Sequence, residues 1–443
     1  MNYVDKLSNV TVLGAGGKMG SGIVLLTALE MARLKFLPEN KNKCFALNAM
    51  DISPQNLEGL WEYLRTQITK VAEKSAVQLR EQYRDNPSLV ENYDIIDQYV
   101  KDVISVVRPV SRLEASYDSK LIFEAISENP ELKVKILSEI WNNNNNSPYF
   151  FTNTSSVPIG ELNKNAGLEG HILGFHFYNP PAVQRLVELI ISDDTKDEVA
   201  NFAKEYARNL RKTVVYSNDF AGFVGNGHFM RDLLYGIKEA ERISEEIPFY
   251  EAVYAIDKIT RDYLIRPMGI FQLIDYVGID VCQFILQVMK PRLGEDDLHN
   301  AILDKYKESG ILGGQNPDGS QKDGFLQYKK GRPTGIYDPD SKQYKNIEDF
   351  SKKIDTQLGD IPDSWKPWKA IIANPDKSYI LDKYFSELKT ISSQGGELAR
   401  NYLLKSKEIG LKLVADKIAK TEDDVNTVML TGFYHSYGPI NNY

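Results

Sequence analysis

The chain has 443 residues, a length that predicts two or three domains rather than one. With 42% apolar and 26% charged residues it has the composition of an ordinary globular protein, which excludes a disordered or fibrous chain. A net charge of -8 excludes a broad basic field for nucleic acid, so an anionic substrate would need a local basic patch.

No basic start followed by an apolar run opens the chain, and no apolar run approaches the ~20 residues that cross a bilayer. The expectation is a cytoplasmic protein with no membrane partner. Asn9 to Leu13 reads as a short β-branched strand, followed by Gly14-Ala15-Gly16-Gly17-Lys18-Met19-Gly20 and a helical pattern from Ser21 to Leu34. Strand, glycine turn and helix in this order suit a dinucleotide: glycines let the backbone turn tightly and let a pyrophosphate approach a helix N-terminus. The spacing is readable as Gly14-Gly16-Gly20 or as Gly14-Gly17-Gly20. A second run, Phe45 to Met50, ends in Asp51, a carboxylate suited to the adenosine ribose hydroxyls and so to NAD rather than NADP. The polar stretch Lys35 to Lys43 carries Asp51 further along the chain than the usual ~20 residues. The competing reading is a plain turn in any α/β domain.

Gln55 to Val107 is charged and helical in period, with Leu57, Leu60, Leu64 and Ile68 on one stripe and Lys70 and Lys74 among its charges, a helical insertion in the α/β domain. Strands resume at Lys120 to Ile126 and at Tyr149 to Thr152, the latter running into Asn153-Thr154-Ser155-Ser156. His176 sits at the end of an apolar strand, and Glu188 is a lone acid inside Leu186-Val187-Glu188-Leu189-Ile190. A carboxylate in such a run is costly to bury unless paired. A His176–Glu188 pair would fix the imidazole tautomer and suit a group that takes a proton from an alcohol as hydride leaves. A core histidine and an outward-facing strand-end glutamate are the competing reading. For Ser155 it is a helix N-cap, and for Asn226 a contact at a helix N-terminus.

The blocks Asn153-Thr154-Ser155-Ser156-Val157-Pro158-Ile159, His176-Phe177-Tyr178-Asn179-Pro180 and Leu186-Val187-Glu188 resemble the signature of the L-3-hydroxyacyl-CoA dehydrogenases. So do Phe123-Glu124-Ala125-Ile126-Ser127-Glu128-Asn129, Gly222-Phe223-Val224-Gly225-Asn226 and Arg266-Pro267-Met268-Gly269, all in family order between about residue 9 and residue 336. The resemblance implies catalytic roles for His176, Glu188, Ser155 and Asn226, with His176 as general base for oxidation and Glu188 orienting it. Ser155 and Asn226 would hold the substrate's C3 oxygen. It implies that Gly14, Gly16, Gly17, Lys18, Met19, Gly20, Asp51, Glu124 and Asn153 line the NAD site, and that Lys74 lies near the CoA moiety. The two cysteines, Cys44 and Cys282, are too few for a disulfide framework or a four-ligand zinc site, so no metal is expected.

Beyond Asp219 helical periodicity takes over. The expected fold class is α/β: a Rossmann-like domain, 1–215, then all-α domains at 216–343 and 344–443. A Gly/Pro/Asp-rich stretch, Gly310 to Ser341, closes the first helical domain. The last hundred or so residues carry a faint repeat, because Asp257 and Gly269 recur as Asn426 and Gly438, and Ile237-Lys238-Glu239 as Ser406-Lys407-Glu408. They are expected to form a degenerate, structural copy of the helical unit, giving either a monomer with an internalised dimer-like interface or a homodimer. The reaction expected is reversible oxidation of an (S)-3-hydroxyacyl-CoA to the 3-ketoacyl-CoA with NAD. The alternatives are a dehydrogenase of free hydroxy acids or sugar acids, and a dinucleotide-binding module without turnover.

Overall fold

The computed structural model describes residues 2–316 and 319–443. Met1, and Pro317 and Asp318 inside the glycine- and proline-rich stretch, lie outside the described residues. The chain divides into two compact units, Met1–Asp219 and Phe220–Tyr443.

The first unit is built on eight strands: β1 (Asn9–Leu13), β2 (Ala46–Met50), β3 (Val107–Val110), β4 (Leu121–Glu124), β5 (Tyr149–Thr152), β6 (Ile172–Phe177), β7 (Leu186–Ile190) and β8 (Thr213–Ser217). Their spatial order is β3-β2-β1-β4-β5-β6-β7-β8. Every pairing is parallel except β6 with β7. Parallel strands covered on both faces read as continuous apolar runs, and all of β5 and β6 is buried. Phe123, Phe151, Phe175 and Tyr206 pack into one aromatic cluster against the sheet, with Phe151 and Phe175 stacked at 5.2 Å. After β1 the chain steps outward through β2 and β3 and then returns to β4 on the other side. The carboxyl ends of β1 and β4 therefore flank a crevice, the usual ligand position in such sheets.

The expected helical insertion is present as Pro54–Lys74, Ala76–Gln82 and Asn92–Ile104. Ser53 caps the first helix through the Asn56 amide, and Leu60, Leu64, Ile68 and Ala72 form its buried stripe. Strands β3 and β8 lie at the two edges of the sheet, where a proline such as Pro109 and half-exposed residues are tolerated, which weakens their sequence signal.

The second unit is mainly helical, and one hydrophobic core draws on both sides of residue 343: Leu233, Ile256 and Ile274 belong to it together with Tyr384, Tyr402 and Tyr437. It is not helical throughout. An antiparallel sheet of β9 (Leu326–Lys329), β10 (Arg332–Asp338) and β11 (Gln343–Asn346) occupies part of the stretch read from sequence as an irregular closing segment. Lys330 and Gly331, at φ 50° and 73°, form the two-residue turn that joins β9 to β10 with the twist hairpins require. Asp275 ties this sheet to the helix Ile270–Val277, accepting the amides of Phe325 at 2.6 Å and Leu326 at 2.9 Å and the Tyr328 hydroxyl at 3.0 Å.

The residues of the faint repeat make matching local contacts. A Cβ on Gly269 would fall 2.2 Å from the Asp257 carboxylate, and one on Gly438 would fall 2.2 Å from the Asn426 side-chain oxygen. Asp257 accepts the Gln272 amide at 3.0 Å and Asn426 the Ile440 amide at 3.0 Å. Each short polar side chain thus closes a turn that only glycine fits. No single helix among the described residues is long and apolar enough to cross a bilayer.

Asp275→Ala leaves two buried amides and a phenol without their acceptor, and should cost about 3 kcal/mol. The urea midpoint of the second unit's unfolding transition should fall accordingly; an unchanged midpoint would show that the hairpin sheet is held by other contacts.

Candidate active site

The loop after β1 is made by what its glycines lack. Gly14 has φ 76°, and its amide and that of Ala15 donate to the Met50 carbonyl at 2.9 and 3.0 Å. A Cβ on Gly20 would lie 2.0 Å from the Gly14 carbonyl oxygen, and one on Gly16 would lie 2.4 Å from the Asn56 Cβ. Gly17 meets only the Gly14 oxygen, at 3.3 Å, so the packing singles out Gly14, Gly16 and Gly20 of the two spacings. The helix Lys18–Lys35 then opens with neither a side-chain cap nor an acid in its first turn. Such an end attracts anions through its amides and dipole, and the residues present fit a pyrophosphate. Lys18 is exposed and Met19 half-buried there. Asp51, buried just beyond the end of β2, accepts the Gly16 amide at 3.0 Å and the Ser53 amide at 2.9 Å, so this carboxylate is locked to the glycine loop.

Across the crevice the antiparallel ladder sets His176 of β6 directly opposite Glu188 of β7. Their Nδ1 and Oε2 atoms are 3.1 Å apart, with His176 9% exposed and Glu188 fully buried. The Tyr178 ring lies 5.0 Å from the imidazole. Burial and the Glu188 charge push the Tyr178 phenol well above its ordinary range, so it stays neutral. Asn153 bridges the strand ends: its amide donates to the Glu124 carbonyl at 2.8 Å, and its side-chain oxygen accepts the Phe177 amide at 2.9 Å, next to His176.

Glu124 closes β4 with no exposure, and its oxygens accept the Ile126 amide at 2.9 Å, the Lys133 ammonium at 2.7 Å and the Thr152 hydroxyl at 2.5 Å. Ser155, half-buried, lies in the loop after β5 and is not a helix cap. The helix Ile159–Ala166 begins after Pro158, and the amides of Ile159 and Gly160 donate to Asp219 at 2.5 and 2.6 Å. Asn226 stands in the first turn of the helix Phe223–Ile243 of the second unit. Lys74 is the exposed last residue of the helix Pro54–Lys74, whose Arg65 and Lys70 are exposed as well. Glycine loop, Asp51, Glu124, Asn153, Ser155 and His176 thus all sit at or just beyond the carboxyl ends of β1, β2, β4, β5 and β6.

Sequence reasoning did not single out Tyr178, Glu128 or Lys133. Tyr178 and Glu128 lie within the family-like blocks, and Lys133 follows in the helix Pro130–Asn143, where its burial is a tertiary fact.

A glycine loop and an acid at the switch point of this sheet define a dinucleotide-binding α/β protein, and a buried imidazole–carboxylate pair at the same edge suits an oxidoreductase. Comparison with known proteins agrees. The family model for the NAD-binding domain of 3-hydroxyacyl-CoA dehydrogenases matches residues 9–220, and the model for their C-terminal domain matches residues 237–323. A probable 3-hydroxybutyryl-CoA dehydrogenase of Deinococcus radiodurans is 32% identical over 50% of this chain and 77% of its own length. One of Bacillus subtilis is 30% identical over 70% of this chain and 94% of its own. The crystal structure of 3-hydroxybutyryl-CoA dehydrogenase from Escherichia coli shares the fold, with a TM-score of 0.63 and 20% identity, covering 98% of this chain and 90% of that one. The chain belongs to the 3-hydroxyacyl-CoA dehydrogenase family, and its cofactor is NAD.

Gly20→Ala should lower the thermal midpoint and weaken NADH binding by about tenfold or more, since the added methyl must force the helix off the turn. Gly17→Ala should melt close to the parent. Fluorescence titration and a thermal melt check both, and equal behaviour of the two variants would contradict the assigned spacing.

Proposed function

We propose that this enzyme interconverts (S)-3-hydroxyacyl-CoA and 3-ketoacyl-CoA, with His176 and Glu188 as its acid–base pair, in fatty-acid β-oxidation or butanoate-type metabolism in the cytoplasm. The observation that carries the reading is the 3.1 Å cross-strand contact of His176 with a carboxylate fully withdrawn from water. With Nδ1 turned to Glu188, the neutral imidazole keeps its proton on that nitrogen and offers Nε2 as acceptor. In oxidation the C3 hydroxyl proton passes to Nε2, and the C3–O bond becomes a carbonyl as hydride leaves the carbon. Bound NAD supplies the hydride acceptor. Glu188 stabilises the imidazolium that forms, and in the reverse direction the same nitrogen returns the proton. Ser155 and Asn226 act on the C3 oxygen as groups able both to donate and to accept, which serves alcohol and ketone alike. Gly14, Gly16, Gly17, Lys18, Met19 and Gly20 hold the pyrophosphate and Asp51 the ribose, while Glu124 and Asn153 line the nicotinamide side. Lys74, with Lys70, provides the local positive charge that a CoA phosphate needs on a chain of net charge -8.

We read residues 344–443 as a degenerate copy of the helical domain at 216–343, following the Rossmann-like domain at 1–215. The paired Asp257/Gly269 and Asn426/Gly438 turns support this. Gly395, Gly396 and Glu397 open the helix Gln394–Ala415 with no Gly-Phe-x-x-Asn motif, so the copy is structural. The chain is accordingly proposed to be monomeric, and sedimentation as a dimer would contradict this.

His176→Ala should retain the fold and NADH binding while kcat falls about a thousandfold, and Glu188→Gln should fall by an intermediate factor. NADH oxidation by acetoacetyl-CoA should far exceed that by free acetoacetate. Near-normal turnover by His176→Ala, or a preference for the free acid, would sink the assignment. NADPH should serve poorly beside Asp51, and equal use of the two cofactors would contradict that carboxylate's placement.

A further inference from the structure

Strands β6 and β7, which set His176 opposite Glu188, are joined by residues 178–185. A two-residue hairpin turn fixes the register of the strands it joins, whereas a connection of this length leaves that to contacts made from outside it. Lys212, the residue before β8, supplies such contacts. Its ammonium donates to the Pro181 and Gln184 carbonyls, both at 2.6 Å, and lies 5.6 Å from the centre of the Phe177 ring, next to His176. Pro181 and Gln184 are the buried residues of the connection, and buried carbonyls need a donor.

The lysine reaches out from a fixed point. The helix Asp197–Asn209 is closed by Arg211 at φ 55°, and the Lys212 amide turns back to the Ala207 carbonyl at 3.0 Å. The next amide, that of Thr213, donates to the Arg185 carbonyl at 2.8 Å as the chain enters the sheet. On its other side the connection is stopped by the helix that follows the glycine loop. A Cβ on Gly22 would lie 2.8 Å from Pro181 Cδ, so the proline ring rests on the helix backbone itself. Pro181 is thus clamped between the Lys212 ammonium and Gly22. Among the described residues no carboxylate pairs with Lys212, and burial, unopposed by an acid, pushes its ammonium down to about 8. An apolar side chain would fill the position without the cost of withdrawing a cation from water. What it could not supply is the pair of donors.

We propose that Lys212 is a positioning residue that seats the connection after His176 against the glycine-loop helix, and so fixes where the imidazole stands relative to that helix and to Glu188. The proposal rests on the dehydrogenase reading above, in which His176 exchanges the substrate proton.

The test compares the parent enzyme with Lys212→Met, which keeps the length and loses the donors, Lys212→Gln, which keeps one donor group, and Lys212→Arg, which keeps several. Turnover is measured with acetoacetyl-CoA and NADH. In parallel, the downfield proton resonance of His176 Nδ1–H, identified by its loss in His176→Ala, is followed in the free enzyme. Lys212→Met should lower kcat about ten- to hundredfold, the cost of a small misplacement of a reacting group, while the KM for NADH stays within about twofold. Its imidazole proton should shift or broaden. Lys212→Arg should recover part of the loss, and Lys212→Gln should fall between Lys212→Met and the parent. Should Lys212→Met fail to fold, Lys212→Gln read against Lys212→Arg decides by the same criteria. A parent-like kcat in folded Lys212→Met, a loss carried wholly by the KM for NADH, or an unshifted imidazole proton beside a reduced kcat would each overturn the proposal while leaving the dehydrogenase reading standing. If the parent enzyme turns over no hydroxyacyl or ketoacyl thioester, it is the dehydrogenase reading that fails. An unchanged imidazole resonance in Lys212→Met would then overturn the positioning role by itself.

Discussion

Ionisable groups withdrawn from water must find partners, and that constraint governs the carboxyl edge of the first unit. Glu188 sits inside a fully buried strand and Glu124 at the end of another. Neither has water to solvate it, so each is paired with a cation or an imidazole in fixed geometry. For Glu188 the partner is set by strand register. A one-residue slip between β6 and β7 would turn every side chain of β7 to the opposite face and leave the carboxylate unpaired. The local reversal to an antiparallel pairing in an otherwise parallel sheet is therefore what brings His176 and Glu188 together. The same constraint at Glu124 recruits Lys133, and through it Glu128.

How much of this was legible in the sequence depends on whether the signal was local. The turn after β1 was legible because glycine spacing, strand and helix are contiguous, although only packing against Asn56 and the Gly14 oxygen separated the two spacings. The His176–Glu188 pair was legible from the cost of an acid in an apolar run, while the resemblance lent it specificity. Glu128 and Lys133 were not, because in Ser127-Glu128-Asn129-Pro130-Glu131-Leu132-Lys133 they look like the solvated charges at the start of any helix. Helix capping by Asn129, which accepts the Leu132 amide at 3.0 Å, accounts for the local pattern without them. The strands β9 to β11 escaped for a different reason. β9 and β11 are four-residue and polar, and β9 joins β10 through a Lys-Gly turn rather than the commoner Asn-Gly, so neither alternation nor turn chemistry stood out.

Within the second unit, the region around the first helices and the C-terminal segment share buried polar ties as well as a core. Arg266 pairs with Asp232 at 2.7 Å and donates to the Ser406 hydroxyl at 3.2 Å. The Tyr437 and Ser436 hydroxyls donate to the carbonyls of Leu264 and Ile265 at 2.9 and 2.7 Å, and Tyr402 donates to the Asp232 carbonyl at 2.9 Å. Burial pushes His228 down to about 4 and holds His435 well below its ordinary range, so both imidazoles are neutral in this seam and do not compete with Arg266 for Asp232. A polar seam with directional bonds fixes one docking arrangement where apolar packing alone would permit several. It lies along the helix Phe223–Ile243, which carries Asn226 and His228, so the stiffness of that helix is set in part by residues of the C-terminal segment.

The shared ammonium also has a consequence for how the first unit can vary. Glu124 ends β4, whereas Glu128 accepts hydrogen bonds from residues 154–156. Because Lys133 neutralises only one of two negative charges, any change in the charge of Glu124 alters how strongly Glu128 is held, and so how firmly residues 154–156 are gripped. A substitution at one corner is therefore felt at the other two, and losing one member of such a triad leaves an uncompensated charge. The three residues are expected to behave as a unit, since each carboxylate shares the one ammonium with the other.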